Sequence, residues 1–170
     1  GLPVIGLVKV QYPGYEGFIT PTMKEVDDLV AAGSDIVALD CTLRKRGDGS
    51  TVNEFIAQIR EKYPDIILMA DISNYEEGIN AWKCGVDIVG TTMSGYTAYT
   101  SSVSDGPDYE LMERLSRDIN IPVIGEGRIH YPDQAVKALQ TGAWAIVVGG
   151  AITRPLEIAM RFQNAIKESR

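Results

Sequence analysis

Three short strings hold the same place in a repeating pattern: Ala32-Gly33-Ser34-Asp35, Cys84-Gly85-Val86-Asp87 and Thr141-Gly142-Ala143-Trp144. Each follows a stretch with apolar residues at helical spacing and precedes a short apolar, β-branched run. Glycine there suits the left-handed residue just past a helix C-terminus. A link of about three residues is an ordinary helix-to-strand length. The unit is therefore helix, glycine, link, strand, and a chain that iterates it folds as parallel α/β.

Six apolar runs carry the strand pattern, over 3–9, 36–41, 66–72, 88–92, 122–129 and 145–152. They are near-continuous rather than alternating, as strands buried on both faces are. Between them, Met23, Val26, Leu29 and Val30 repeat at helical spacing, as do Val52, Phe55, Ile56 and Ile59. Tyr75, Ile79 and Trp82 follow, then Leu111, Met112 and Leu115, then Ala135, Ala138 and Leu139, and last Ile158, Ala159, Phe162 and Ile166. Each set predicts one apolar stripe on a helix. Thr20-Pro21 fits an N-cap with proline at the first helical position, and Ser73 with Glu76 fits a capping box. Leu2-Pro3-Val4-Ile5-Gly6 is nearly repeated as Ile121-Pro122-Val123-Ile124-Gly125.

Two architectures accommodate six strand–helix units: an open doubly wound sheet, and a closed (β/α)₈ TIM barrel. A barrel needs eight units and typically about 250 residues. At 170 residues, length alone favours the open sheet. The chemistry at the strand ends favours the barrel, with two units expected before Gly1. The chain opens directly on a buried-type strand without an initiator Met.

With 45% hydrophobic and 23% charged residues, the chain suits one globular domain over 1–170. A net charge of −7 without a clustered basic face argues against nucleic acid. Arg44-Lys45-Arg46, in a Gly/Asp loop, reads as a solvated loop. No apolar run reaches the roughly 18 residues needed to span a membrane, and no signal peptide is visible. Cys41 and Cys84 read as buried free thiols in a reducing cytoplasm. A single His and no CxxC leave too few soft ligands for zinc, so no metal is expected.

Ligand sites in parallel α/β folds lie at the C-terminal ends of the strands. Lys9 ends the first run, Asp40 and Thr42 the second, Asp71 and Ser73 the third, Thr91, Thr92 and Ser94 the fourth. Glu126 and Arg128 end the fifth, and Thr153 and Arg154 follow the sixth. Gly125-Glu126-Gly127 and Gly149-Gly150 lie at the last two strand ends, where barrel enzymes often hold phosphate. Glycine lets backbone N–H groups approach an anion closely, and Arg128 or Arg154 adds charge-assisted hydrogen bonds. Lys9 and Glu126 lie four units apart, so in an eight-stranded ring they face each other across the mouth. Opposed titratable groups suit an epimerase, which removes a proton and returns it to the other face of a carbon. One group also suffices if the planar intermediate rotates. Asp71 and Arg154 would orient substrate and steady developing charge, with Asp40 and Thr92 as further substrate contacts.

Several strings together resemble one family. They are Pro3-Val4-Ile5-Gly6-Leu7-Val8-Lys9, Phe18-Ile19-Thr20-Pro21-Thr22 and Ala38-Leu39-Asp40-Cys41-Thr42. Further along come Met69-Ala70-Asp71-Ile72-Ser73 and Gly90-Thr91-Thr92-Met93-Ser94-Gly95-Tyr96-Thr97. The last are Glu126-Gly127-Arg128-Ile129 and Val148-Gly149-Gly150-Ala151-Ile152-Thr153-Arg154-Pro155. The chain resembles the N-acetylmannosamine-6-phosphate 2-epimerases of bacterial sialic acid catabolism. That resemblance implies a TIM barrel, six of whose eight units are present, and reversible C2 epimerisation of N-acetylmannosamine 6-phosphate to N-acetylglucosamine 6-phosphate. It implies no redox cofactor, Lys9 and Glu126 as the proton-transfer pair, and Asp71 and Arg154 as substrate contacts. Gly127, Gly149 and Gly150 would cradle the phosphate. Family members begin earlier, with units whose strand ends carry Cys-Gln and Ile-Arg, and usually have Ala where this chain has Cys41. A Schiff-base sugar-phosphate aldolase using Lys9, or a barrel that binds sugar phosphate without turnover, are the alternatives. The expected partner is a small-molecule sugar phosphate, with a homodimer left open.

Overall fold

The computed structural model describes residues 1–101 and 106–169. Its strands are β1 (Ile5–Gly6), β2 (Ile36–Asp40), β3 (Ile67–Asp71), β4 (Ile88–Gly90), β5 (Val123–Glu126) and β6 (Ala145–Val147). The helices are α1 (Met23–Ala31), α2 (Val52–Lys62), α3 (Tyr75–Lys83), α4 (Tyr109–Asp118), α5 (Pro132–Gln140), α6 (Gly150–Thr153) and α7 (Pro155–Glu168). Strands and helices alternate strictly up to β6, as the repeat predicts.

All strand pairs are parallel, and the sheet order is β1-β2-β3-β4-β5-β6. That order decides between the two architectures. A doubly wound sheet reverses direction at a switch point, whereas here each strand lies beside its chain neighbour. Right-handed crossovers in unbroken order place the helices on one side. The sheet is six consecutive strands of a (β/α)₈ barrel wall. Among the described residues, β1 and β6 do not pair with each other.

Successive side chains on a strand point to opposite faces, and both faces of the central strands are covered. Val37, Leu39, Leu68, Ala70 and Val89 pack outward against Val26, Ile56, Ile59 and Leu115 of the helices. Ala38, Met69 and Ile124 pack inward, joined by Ile36, Ile88 and Ala145. This double burial makes the runs read as continuous rather than alternating. Each large aliphatic side chain fully buried this way contributes about 1.5–3 kcal/mol.

Gly33, Gly85 and Gly142 take φ of +82°, +85° and +97° just past α1, α3 and α5, so the repeated glycine does the helix-ending task expected of it. The N-terminal caps differ from expectation. α1 is capped by Thr22, which forms a reciprocal box with Glu25. Thr20 instead turns back with φ +46° and spends its hydroxyl on the Ala38 carbonyl at 2.7 Å. α3 is capped by Asn74, and Glu77 rather than Glu76 reaches back, accepting from the Ser73 N–H and hydroxyl at 2.7 Å each. Glu77 is buried and also accepts from the Leu43 N–H at 3.1 Å and the Tyr99 hydroxyl.

Three further differences have physical causes. The run over 145–152 is strand only to Val147, because Gly149 breaks it and Gly150–Thr153 winds into α6. Only Lys45 of the basic triplet is solvated. Arg46 is buried, stacks on the Phe55 ring at 3.9 Å and donates to the Pro21 carbonyl at 2.5 Å, while Arg44 pairs with Asp40. The stripe predicted on α7 is present, but Phe162 and Ile166 are exposed and no described residue of that helix is buried. Cys41 is a buried free thiol and Cys84 a half-buried one.

Candidate active site

The strand ends open into one cavity of about 420 Å³. Lys9 enters from the loop after β1 and Thr92 from the loop after β4. Glu126, Gly127 and Arg128 enter from β5 and its loop, and Gly149, Gly150 and Arg154 from around α6. This is the face on which parallel barrels carry their chemistry.

Lys9 sits beyond the end of β1 on a short antiparallel rung against Ile19. The rung is held by the Val10 N–H to the Phe18 carbonyl at 2.9 Å and the Thr20 N–H to the Val8 carbonyl at 2.7 Å. Thr20 closes it. Its left-handed backbone costs roughly 1 kcal/mol or more for a β-branched residue. The Thr20 hydroxyl offsets that by donating to Ala38 and accepting from the Val8 N–H at 3.3 Å. The first run therefore ends as a hooked strand, which carries the Lys9 amine back over the barrel mouth.

Glu126 is the last residue of β5. The ladder between β4 and β5 stops at Gly90 and Ile124. Beyond it, the Thr91 hydroxyl donates to the Glu126 carbonyl at 2.8 Å and accepts from the Glu126 N–H at 3.0 Å. That pair fixes the backbone on which the carboxyl sits. Burial raises the Glu126 pKa, while a hydrogen bond with Thr92 and the charge of Lys9 pull it down.

Asp71, the last residue of β3, is 1% exposed and stands behind Thr92 rather than on the cavity wall. Oδ1 accepts from the Thr92 hydroxyl at 2.6 Å, and Oδ2 has no hydrogen-bond partner among the described residues. Burial pushes its carboxyl up to about 8. The Thr92 hydrogen bond opposes that rise, the charges of Glu126 and Asp40 reinforce it, and Lys9 opposes it. An acid in this state keeps its proton near neutral pH and can act as a donor.

Asp40, like Asp71, does not line the cavity. Its Oδ1 accepts from the Thr42 N–H at 3.0 Å and the Thr42 hydroxyl at 2.6 Å, and its Oδ2 pairs with the Arg44 guanidinium. A carboxylate already satisfied by a cation and two local donors has a structural task, holding the loop after β2.

The glycines cluster at one end. Gly127 and Arg128 take consecutive left-handed backbone angles, φ +102° and +57°. Gly149 caps α6 and Gly150 begins it. First-turn N–H groups of a helix lack intrahelical partners, so this end offers unspent donors. The Arg128 guanidinium lies against Gly95 and 6.0 Å from the centre of the Tyr96 ring. Gly95, at φ +80°, has no Cβ to occupy that space. Arg154 projects into solvent and pairs with Glu157 at 2.9 Å.

Sequence reasoning missed Phe18, Tyr96, His130 and Glu157, which also line the cavity. His130 had the one visible signal: it is the only histidine and follows Arg128 by two positions. Its Nδ1 is buried without a partner among the described residues. No group of three or more His, Cys, Asp or Glu side chains among the described residues is placed to hold a metal ion. No described helix is long and apolar enough to cross a membrane.

This arrangement can hold an anion at the glycine end and present a lysine and a half-buried carboxyl to a carbon several ångströms away. Known proteins with the same organisation are similar throughout. A curated relative from Caldanaerobacter subterraneus subsp. tengcongensis, named "Putative N-acetylmannosamine-6-phosphate 2-epimerase", is 58% identical over 169 residues, which cover 99% of this chain and 71% of the relative. The solved N-acetylmannosamine-6-phosphate 2-epimerase from Clostridium perfringens superposes with a TM-score of 0.89 at 49% identity, covering 96% of this chain and 70% of that one. A thiamine phosphate pyrophosphorylase from Pyrococcus furiosus superposes less well, with a TM-score of 0.57 at 26% identity over 75% of this chain and 55% of that one. The family model described as "NanE: Putative N-acetylmannosamine-6-phosphate epimerase" matches residues 1–168, and the chain belongs to that family.

Proposed function

We propose that this protein is an isomerase that reversibly inverts C2 between N-acetylmannosamine 6-phosphate and N-acetylglucosamine 6-phosphate. The observation that carries the proposal is the meeting of Lys9, Glu126 and the glycine cluster Gly127, Gly149 and Gly150 in one cavity. Phosphate bound by the backbone N–H groups at that cluster, with Arg128 and Arg154 adding charge, would set the sugar's reach into the cavity. C2 would then lie between Lys9 and Glu126. One group takes the C2 proton, and a proton returns to the opposite face. Burial raises the Glu126 pKa above its ordinary value, which favours its acid form. Asp71, protonated behind the wall, favours negative charge developing on the substrate beside it.

A phosphorylated sugar does not cross membranes unaided, which supports a cytoplasmic location for the enzyme. The test is incubation with N-acetylmannosamine 6-phosphate in deuterated water, followed by NMR. Conversion to the C2 epimer with deuterium at C2 is the expected result. Carbon–carbon cleavage, or binding with neither conversion nor exchange at C2, would overturn the assignment.

A further inference from the structure

We propose that Glu157 holds the Arg154 guanidinium in reserve over Gly150, and that a substrate phosphate binds by drawing the guanidinium away from it. Glu157 is a positioning residue that acts through Arg154 and sets how tightly the site holds its ligand. This deepens the epimerase reading above and rests on it for the place of the phosphate.

Arg154 borders the cavity, yet its side chain is 65% exposed and is bound to Glu157. Its Nη1 donates to Glu157 Oε1 at 2.9 Å. A Cβ on Gly150 would meet Glu157 Oε2 at 3.2 Å, Arg154 Cδ at 3.3 Å and Arg154 Nε at 3.6 Å. The ion pair therefore lies over the second glycine of the Gly149-Gly150 step. Glu157 lines the same cavity as Lys9 and Glu126. A carboxylate is thus parked beside the place that the functional reading gives to the phosphate, and it engages the cation expected there.

The relative strengths let the partners exchange. An exposed ion pair between residues three apart is worth at most about fivefold in an equilibrium. A phosphate offers the guanidinium two parallel charge-assisted hydrogen bonds and carries more negative charge than a carboxylate. Glu157 keeps a second support when Arg154 leaves, because it stands in the first turn of α7, where the helix dipole favours a carboxylate. Releasing Arg154 therefore costs little, and capturing it gains the phosphate more than Glu157 loses.

The exchange bears on both directions of the reaction. The two epimers carry the same phosphate, so each must take Arg154 from Glu157 on entering, and Glu157 reclaims the guanidinium as either one leaves. Some affinity is given up in favour of release, equally for both sugars.

The test is a double-mutant cycle read by calorimetry. Inorganic phosphate is titrated into the wild-type, E157Q, R154Q and E157Q/R154Q proteins at low ionic strength, because salt screens exposed charges. E157Q should bind phosphate about two- to fivefold tighter than wild type, the worth of the pair released. In the R154Q background, where no guanidinium is held back, the same change should gain at least twofold less, or nothing. An equal gain in both backgrounds would mean that Glu157 only repels the anion. Unchanged or weaker binding in E157Q would mean that it does not withhold Arg154. Either result overturns the proposal, as does absence of phosphate binding in both wild type and E157Q. E157A and R154A make the same predictions should the first variants fail to fold. In turnover, E157Q should lower KM for both epimers by a similar factor, with kcat changing less, and a lowered kcat at unchanged KM overturns the proposal. The titration uses no sugar, so absence of epimerisation would defeat the functional assignment while the four affinities still decide the role of Glu157.

Discussion

Replacing Asp71 with Asn isolates what it takes to hold that carboxyl dry. An ordinary aspartate titrates at 3.8, and the fold pushes Asp71 up to about 8. Between those values the folded state binds more proton than the unfolded state, so stability falls as pH rises. The contribution is full below the unfolded value and is lost as pH climbs through the folded one. Each pH unit corresponds to about 1.4 kcal/mol. From about pH 5.5 to 8, Asp71 therefore removes about 3 kcal/mol of folding stability. At 1% exposure, solvent screening takes little from that figure. Asn has the same shape, keeps an acceptor for the Thr92 hydroxyl, and does not titrate. Glu126 and Asp40 are present in both proteins, so their effects largely cancel in the difference. Urea unfolding of both proteins across this range should show the stability advantage of Asp71→Asn growing by about 3 kcal/mol. A difference that stays constant within about 0.5 kcal/mol would refute the reasoning, because a residue that ionises at its usual pH gives no slope.

Lys9→Ala and Glu126→Gln should each lower turnover by about 10²–10⁴-fold while leaving the thermal midpoint nearly unchanged, and near-normal rates in both would remove their proposed roles. Gly95→Ala places a Cβ where the Arg128 guanidinium lies, at a left-handed backbone. It should destabilise the fold by roughly 1–3 kcal/mol and raise KM, read by thermal melt and steady-state kinetics. Glu77→Ala strands the buried Ser73 N–H and hydroxyl and the Leu43 N–H. The expected loss is about 3 kcal/mol or more by denaturant titration, and a change below about 1 kcal/mol would contradict the bonding described.

The sequence was most legible where one residue type has one physical use. Gly33, Gly85 and Gly142 end helices because a left-handed residue without a Cβ is needed there. Their recurrence exposed the repeat and, through it, the parallel sheet. Polar residues that end apolar runs marked the rim, and Lys9, Thr92, Glu126, Arg128 and Arg154 among them line the cavity. Legibility failed where several residues could do the same task. Thr20 and Thr22 are both plausible caps, and only the hook behind Lys9 assigns Thr20 elsewhere. Asp40 and Asp71 occupy paired positions on adjacent strands. The difference between them is Arg44, which neutralises Asp40 from four residues away. Arg46 looked solvated because its aromatic partner Phe55 and its acceptor at Pro21 are not its neighbours in sequence.

The carboxylate of Glu77 gathers donors from the connections that follow β2, β3 and β4. Three adjoining stretches of rim thus hang from a single peg below the surface. Exchanging one stretch for a foreign loop would leave that peg still gripping its neighbours but missing a finger. Reshaping this side of the mouth, by selection or by engineering, is therefore a matter of swapping the trio as a block.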